Sequence, residues 1–139
     1  MPGLLEGIRV LDLSSIWAAP LGTRWVADMG ADVIKVQEVP KLTPQMIQRM
    51  QQMAQGNRAL AAGGGYVQEL EGNKRSISLD FETPKGKELL KRLVAISDVL
   101  VDNHRPVVLE RAGLDYEDLR QIKPDIIMLR VTAMGASGP

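Results

Sequence analysis

Five short apolar runs alternate along this chain with amphipathic stretches, and that alternation constrains the fold more than any other feature. The runs are Ile8–Leu13, Asp32–Val36, Ser76–Phe81, Asp98–Asp102 and Ile126–Val131. Several are nearly continuous in Ile, Val and Leu rather than alternating with polar residues, which suits strands covered on both faces. Between them the spacing predicts helices. Pro20–Met29 leads to Gly30, a residue suited to the left-handed turn that closes a helix. Thr83 and Pro84 make an N-cap and first-turn pair for a helix running through Ile96. Its apolar face is read as Leu89, Leu90, Leu93, Val94 and Ile96, with Lys85, Lys87, Lys91 and Arg92 turned outward. A shorter helix, Tyr116–Ile122, stops before Pro124. Strands alternating with helices predict an α/β fold with a doubly wound, mostly parallel, Rossmann-like sheet.

One region breaks the rhythm. The segment 37–75 is read as an insertion, with an amphipathic stretch Thr43–Gln55 followed by Gly56–Gly72, which holds Gly63, Gly64 and Gly65 and predicts a mobile loop. Met46, Met50 and Met53 fall at helical spacing beside Ile47. Such a stripe is either ordinary core or an adaptable surface closing over a ligand or partner, and both readings stay open.

At 139 residues the chain is sized for one domain, 1–139, able to bury about two-thirds of its unfolded surface. Seventeen basic and 17 acidic residues cancel, which argues against nucleic acid or an anionic membrane as the main partner. The absence of cysteine excludes disulfides and thiolate chemistry, and a single histidine, His104, excludes a multi-histidine metal site within one chain. No metal is expected. Glu6 interrupts the apolar start where a signal peptide would continue, and no apolar stretch reaches membrane-spanning length, so a cytoplasmic location is expected.

The turn after the first apolar run reads Ser14-Ser-Ile-Trp-Ala-Ala-Pro20, with no glycine. A dinucleotide site of the Gly-x-Gly-x-x-Gly kind is therefore not expected, and neither a Walker A motif nor a Gly-x-Ser-x-Gly elbow is present. Other blocks do form a pattern. They are Leu5-Glu-Gly-Ile-Arg-Val-Leu-Asp-Leu13, Ala27-Asp-Met-Gly-Ala-Asp-Val-Ile-Lys-Val36 and Asn73-Lys-Arg-Ser-Ile-Ser-Leu-Asp80. Pro84–Leu90, Ser97–Asn103, Arg111-Ala-Gly-Leu114, Lys123–Ile127 and the terminal Gly135-Ala-Ser-Gly-Pro139 follow. In this order and spacing they resemble the N-terminal part of the family III CoA-transferases, which include formyl-CoA and carnitine CoA-transferases. The α-methylacyl-CoA racemases share the blocks.

The resemblance implies a fold that binds coenzyme A, as acyl-CoA substrate, on these early loops. Carried over by position, the CoA contacts are Trp17 and Ala18 after the first strand, then Leu79, Asp80, Phe81 and Glu82, then Asn103, His104 and Arg105, and finally Arg111. Arginine forks and backbone N–H groups suit the phosphates of CoA. Each cation has a structural explanation as well: a solvated helix charge for Arg111, basic residues before an exposed strand for Lys74 and Arg75. His104 is read as a loop residue rather than a catalytic base.

Two departures bear on specificity. Trp17 stands where many such transferases carry glutamine facing the acyl group, which disfavours acids as small as formate or oxalate. Gln37 and Glu38 stand where the second strand otherwise leads to an acid and sometimes an arginine. No catalytic residue is assigned. The family's nucleophilic aspartate, which forms mixed-anhydride and thioester intermediates, is expected beyond Pro139, and the racemases' base pair likewise. The expected function is thus the N-terminal part of an enzyme moving CoA from an acyl-CoA to a free carboxylic acid, itself inactive alone. An acyl-CoA racemase, or a non-catalytic module binding a nucleotide or partner, is the alternative. Family III enzymes are interlocked dimers, so a homo-oligomer or a second subunit is the expected partner.

Overall fold

The computed structural model describes residues 2–38 and 69–135, together with 44, 45, 48 and 51. Five strands form one sheet: β1 (Arg9–Asp12), β2 (Asp32–Gln37), β3 (Arg75–Ser78), β4 (Val99–Asp102) and β5 (Ile127–Arg130). Their order is β3-β2-β1-β4-β5, and every neighbouring pair is parallel. The expected doubly wound α/β sheet is present. Except for β2, which runs one residue past its apolar run, the strands are shorter than the runs, because the run ends turn into loops.

The strand side chains divide between two layers. Leu11, Ile34 and Leu100 face one side, where they meet Leu90 and Val94 of α2 (Pro84–Ala95), Leu109 of α3 (Pro106–Ala112) and Leu119 of α4 (Tyr116–Ile122). Val10, Val33 and Val101 face the other, against Ala19 and Ala27 of α1 (Ala18–Asp28). Alternation along β1, β2 and β4 thus feeds both layers, which is why these runs are nearly continuous in apolar residues, whereas β3 is exposed along its length. Leu90 and Leu119 have no exposed surface, and truncating either to alanine would cost about 2–5 kcal/mol.

Several details differ from the sequence reading. On α2 only Gly86, Leu90 and Val94 are buried, while Leu89 and Ile96 are exposed. The helix touches the sheet along a single i, i+4 line, so its buried stripe is narrower than its apolar content. The helix α3 had no separate place in the sequence reading. Its boundaries are nevertheless legible: Pro106 opens it, and Gly113, at φ 65°, closes it. On β5, Ile127 and Leu129 are 62% and 51% exposed, since α1 covers β1, β2 and β4 but does not reach this edge. The sequence reads this strand as needing cover on both faces from further polypeptide, and its exposure is in keeping with that expectation. The stripe Met46, Met50 and Met53, Gly63–Gly65 and the last four residues lie outside the described residues. Among the described residues, no helix is long and apolar enough to cross a membrane.

Candidate functional site

Because all five strands are parallel, their carboxyl ends share one edge. The chain leaves β1 towards β2 on one side and returns later to β4 on the other, so a crevice opens beyond these two strand ends. The loops there are built by aspartates. Asp12 Oδ1 accepts a hydrogen bond from Ser14 N at 2.8 Å, Asp102 Oδ1 from His104 N at 3.1 Å, and Asp80 Oδ1 from Glu82 N at 3.0 Å. Each is an Asx-type turn in which the carboxylate bonds the backbone two residues on, turning the chain where the ladder stops.

Asp12 also anchors what lies below the crevice. It has no exposed surface, and it accepts from Thr23 Oγ1 at 2.6 Å and from Lys74 Nζ at 3.0 Å. Lys35 Nζ lies 3.5 Å away and donates to the Ser14 carbonyl. Burial alone would raise the Asp12 pKa, yet Lys35, the Ser14 and Thr23 hydroxyls and Lys74 together hold it below the ordinary carboxylate value. Lys74 Nζ further bonds the Pro20 carbonyl at 2.8 Å and Glu71 at 3.1 Å. Its side chain is 1% exposed, so Lys74 is a structural cation under the loop rather than a ligand contact. Arg75 pairs with Asp32 beside Arg9, at the amino-terminal edge of the sheet and away from the crevice.

Above this base the β1–α1 loop is held in an uncommon shape. Ile16 and Trp17 have φ of 59° and 56°, a region costly for side chains and most so for a β-branched one. Asn103 clamps the loop from β4: its Oδ1 accepts from Ser15 N at 2.8 Å, and its Nδ2 donates to the Ser15 carbonyl. Trp17 is 60% exposed at the start of α1, followed by exposed Ala18.

His104 bridges the crevice. Nδ1 lies 2.6 Å from Asp102 Oδ1, and Nε2 lies 3.0 Å from Glu38 Oε1, so one imidazole ties the end of β4 to the end of β2 across β1. Its pKa is raised, chiefly by the Asp102 hydrogen bond, against burial and with help from the charges of Asp102 and Glu38. On its β1–β2 side lies a cleft of about 440 Å³, lined by the Leu13–Ile16 loop and by Lys35 and Gln37.

The rings of Phe81 and His104 stand nearly perpendicular, with centroids 6.0 Å apart. Phe81 also lines a second groove, of about 400 Å³, with Glu82, Arg105 and Arg111. Four positions named from the sequence therefore converge there, from the β3–α2 turn, the β4–α3 loop and the last turn of α3. Lys87 joins them, against the expectation that it faces outward, and Val107 and Val108 form an apolar wall. Leu79, by contrast, is packed in the core, and Asp80 shapes the turn. The site divides into a crevice holding Trp17, Ala18, Asn103 and His104 and a neighbouring cationic groove.

The CoA-transferase family III model matches residues 5–139. A succinyl-CoA–D-citramalate CoA-transferase of Chloroflexus aurantiacus is 38% identical over 99% of this chain and 33% of its own length. A succinate–glutarate CoA-transferase of Agrobacterium fabrum is 39% identical over 97% of this chain and 34% of its length. The chain thus spans about a third of these curated relatives. Among solved structures, a CAIB/BAIF family protein from Brucella suis superposes over all of this chain and 36% of its own, with TM-score 0.79 and 33% identity.

Proposed function

Because the chain belongs to CoA-transferase family III, we propose that it is the CoA-binding, N-terminal part of an enzyme that moves CoA from an acyl-CoA to a free carboxylate. The observation that carries this reading is the convergence of Phe81, Glu82, Arg105 and Arg111 on one groove beside the crevice. CoA is a long anionic ligand with an aromatic base at one end and a thioester at the other. A groove with an aromatic edge, an apolar wall and guanidinium groups suits its nucleotide. The thioester arm then runs past His104 towards Trp17, whose exposed indole presents an apolar face and so disfavours acids as small and polar as formate or oxalate.

The residues described here bind and orient rather than form bonds with the acyl group. Asp12 and Asp102, the aspartates nearest the crevice, have no exposed surface; Asp12 is committed to its turn and two lysines, and Asp102 through Oδ1 to its turn and His104. The nucleophilic aspartate belongs to the remainder of the family fold, and this chain alone is expected to give no turnover. Similarity to named transferases supports transfer over racemisation. The exposed Ile127 and Leu129 support a second polypeptide segment, from another copy or subunit, as cover for β5.

Calorimetric titration of CoA into the chain tests the reading. Weak binding that falls further on Arg111→Ala is expected. Equal affinity in both proteins removes Arg111 from the site, and no heat of binding in either refutes the proposal.

A further inference from the structure

Resting on the CoA-binding reading, we propose that Lys87 is a specificity-determining residue that completes a three-cation receptor, with Arg105 and Arg111, for the 3′-phosphate of CoA. The three side chains come from separate places: Lys87 from the first turn of α2, Arg105 from the residue before α3, and Arg111 from the last turn of α3. All line the same groove. Lys74, Lys35, Arg9 and Arg24 all hold carboxylate partners. Among the described residues, none of these three has such a pair. The two cations beside the crevice, Lys35 and Lys74, are held by carboxylates, whereas these three share the lining of one cavity and so leave room for an external anion.

The chemistry selects which anion. A phosphomonoester presents three terminal oxygens and nearly two negative charges at one point, whereas the pyrophosphate spreads its charge along a chain. Three cations converging on a single groove match the former. Lys87 supplies a compact ammonium on a flexible stem, suited to point-charge capture, while the arginines supply planar forks. Its position is fixed from below. Gly86 sits so close to the Asp80 carbonyl that a Cβ there would lie 1.8 Å from the oxygen, which draws the first turn of α2 against the turn carrying Phe81 and Glu82. Glu82 also lines the groove, and its carboxylate is outnumbered three to one there.

The test compares CoA with 3′-dephospho-CoA by calorimetric titration of the full chain, wild type, Lys87→Ala and Lys87→Arg. Lys87→Ala is expected to weaken CoA binding about tenfold, to leave dephospho-CoA binding unchanged, and to be largely rescued by Lys87→Arg. Equal loss for both ligands would assign Lys87 to the pyrophosphate or to folding and overturn the inference. No loss for either would also overturn it, with the CoA-binding reading intact. A wild-type chain that binds neither ligand would overturn both.

Discussion

Adding one methyl group at Gly86 should destabilise this protein, although the same change on most exposed helix positions stabilises. The Cβ of Gly86→Ala would lie 1.8 Å from the Asp80 oxygen, 2.6 Å from its carbonyl carbon and 2.9 Å from Thr83 Oγ1. Two of these are backbone atoms, so no side-chain rotation relieves the clash. Either α2 moves away or the turn 80–83 opens. Overpacking of this kind costs about 1–3 kcal/mol. Losing the Thr83 cap, which accepts from Gly86 N at 3.1 Å, adds about 1 kcal/mol. The helix-propensity gain of alanine over glycine returns about 1 kcal/mol. The net loss is about 1–3 kcal/mol, or a fall in Tm of about 3–12 °C for a chain of this size. Gly22, in α1, has nothing within 4 Å of the same built Cβ. Gly22→Ala should therefore stabilise by about 0.5–1 kcal/mol. Urea and thermal denaturation of the two variants beside wild type measures both signs at once. A Gly86→Ala protein as stable as Gly22→Ala would refute the packing of α2 against the turn, and with it the placement of Phe81, Glu82 and Lys87.

Asn103→Ala removes both bonds to Ser15 and should cost about 1–3 kcal/mol; in a Trp25→Phe background the fluorescence anisotropy of Trp17 should drop as its loop loosens, and unchanged anisotropy would remove the clamp. Lys74→Met removes one of the two cations beside the Asp12 carboxylate, which has no exposed surface and keeps Lys35, Ser14 and Thr23, and should cost about 1–3 kcal/mol by urea denaturation; no loss would contradict its burial. The raised pKa of His104 means that the folded state holds the proton more tightly than the unfolded chain. Its stabilisation is full below the ordinary imidazole value of 6.5 and is lost as pH rises through the raised folded value. Denaturation midpoints should fall across that window in wild type, and the slope should flatten in His104→Gln. Sedimentation velocity should show concentration-dependent association that Leu129→Glu weakens, and a sharp monomer at all concentrations would argue against a cover for β5.

The sheet was legible because it rests on composition alone: a strand buried on both faces must be apolar throughout, and Ile8–Leu13 and Asp98–Asp102 are nearly so. The helix α3 was less legible because seven residues show too few turns for a period, although Pro106 and Gly113 frame it. Lys87 was misplaced for a different reason. Helical periodicity assigns a face relative to the sheet, whereas Lys87 faces sideways towards α3, which depends on how two helices lie together. The crevice chemistry was partly written in local pairs: Asp12 with Ser14 and Asp102 with His104 sit at Asx-turn spacing directly after apolar runs. The tie between His104 and Glu38 joins residues 66 positions apart, and no local signal announces it.

Hydrogen–deuterium exchange with and without CoA reports where on the chain the ligand rests. Slowed exchange is expected in peptides covering 79–83 and 103–112, with lesser protection at 13–18, and no change around 127–130. Binding with protection confined to other segments, or saturating CoA with no protection at 103–112, would contradict this placement.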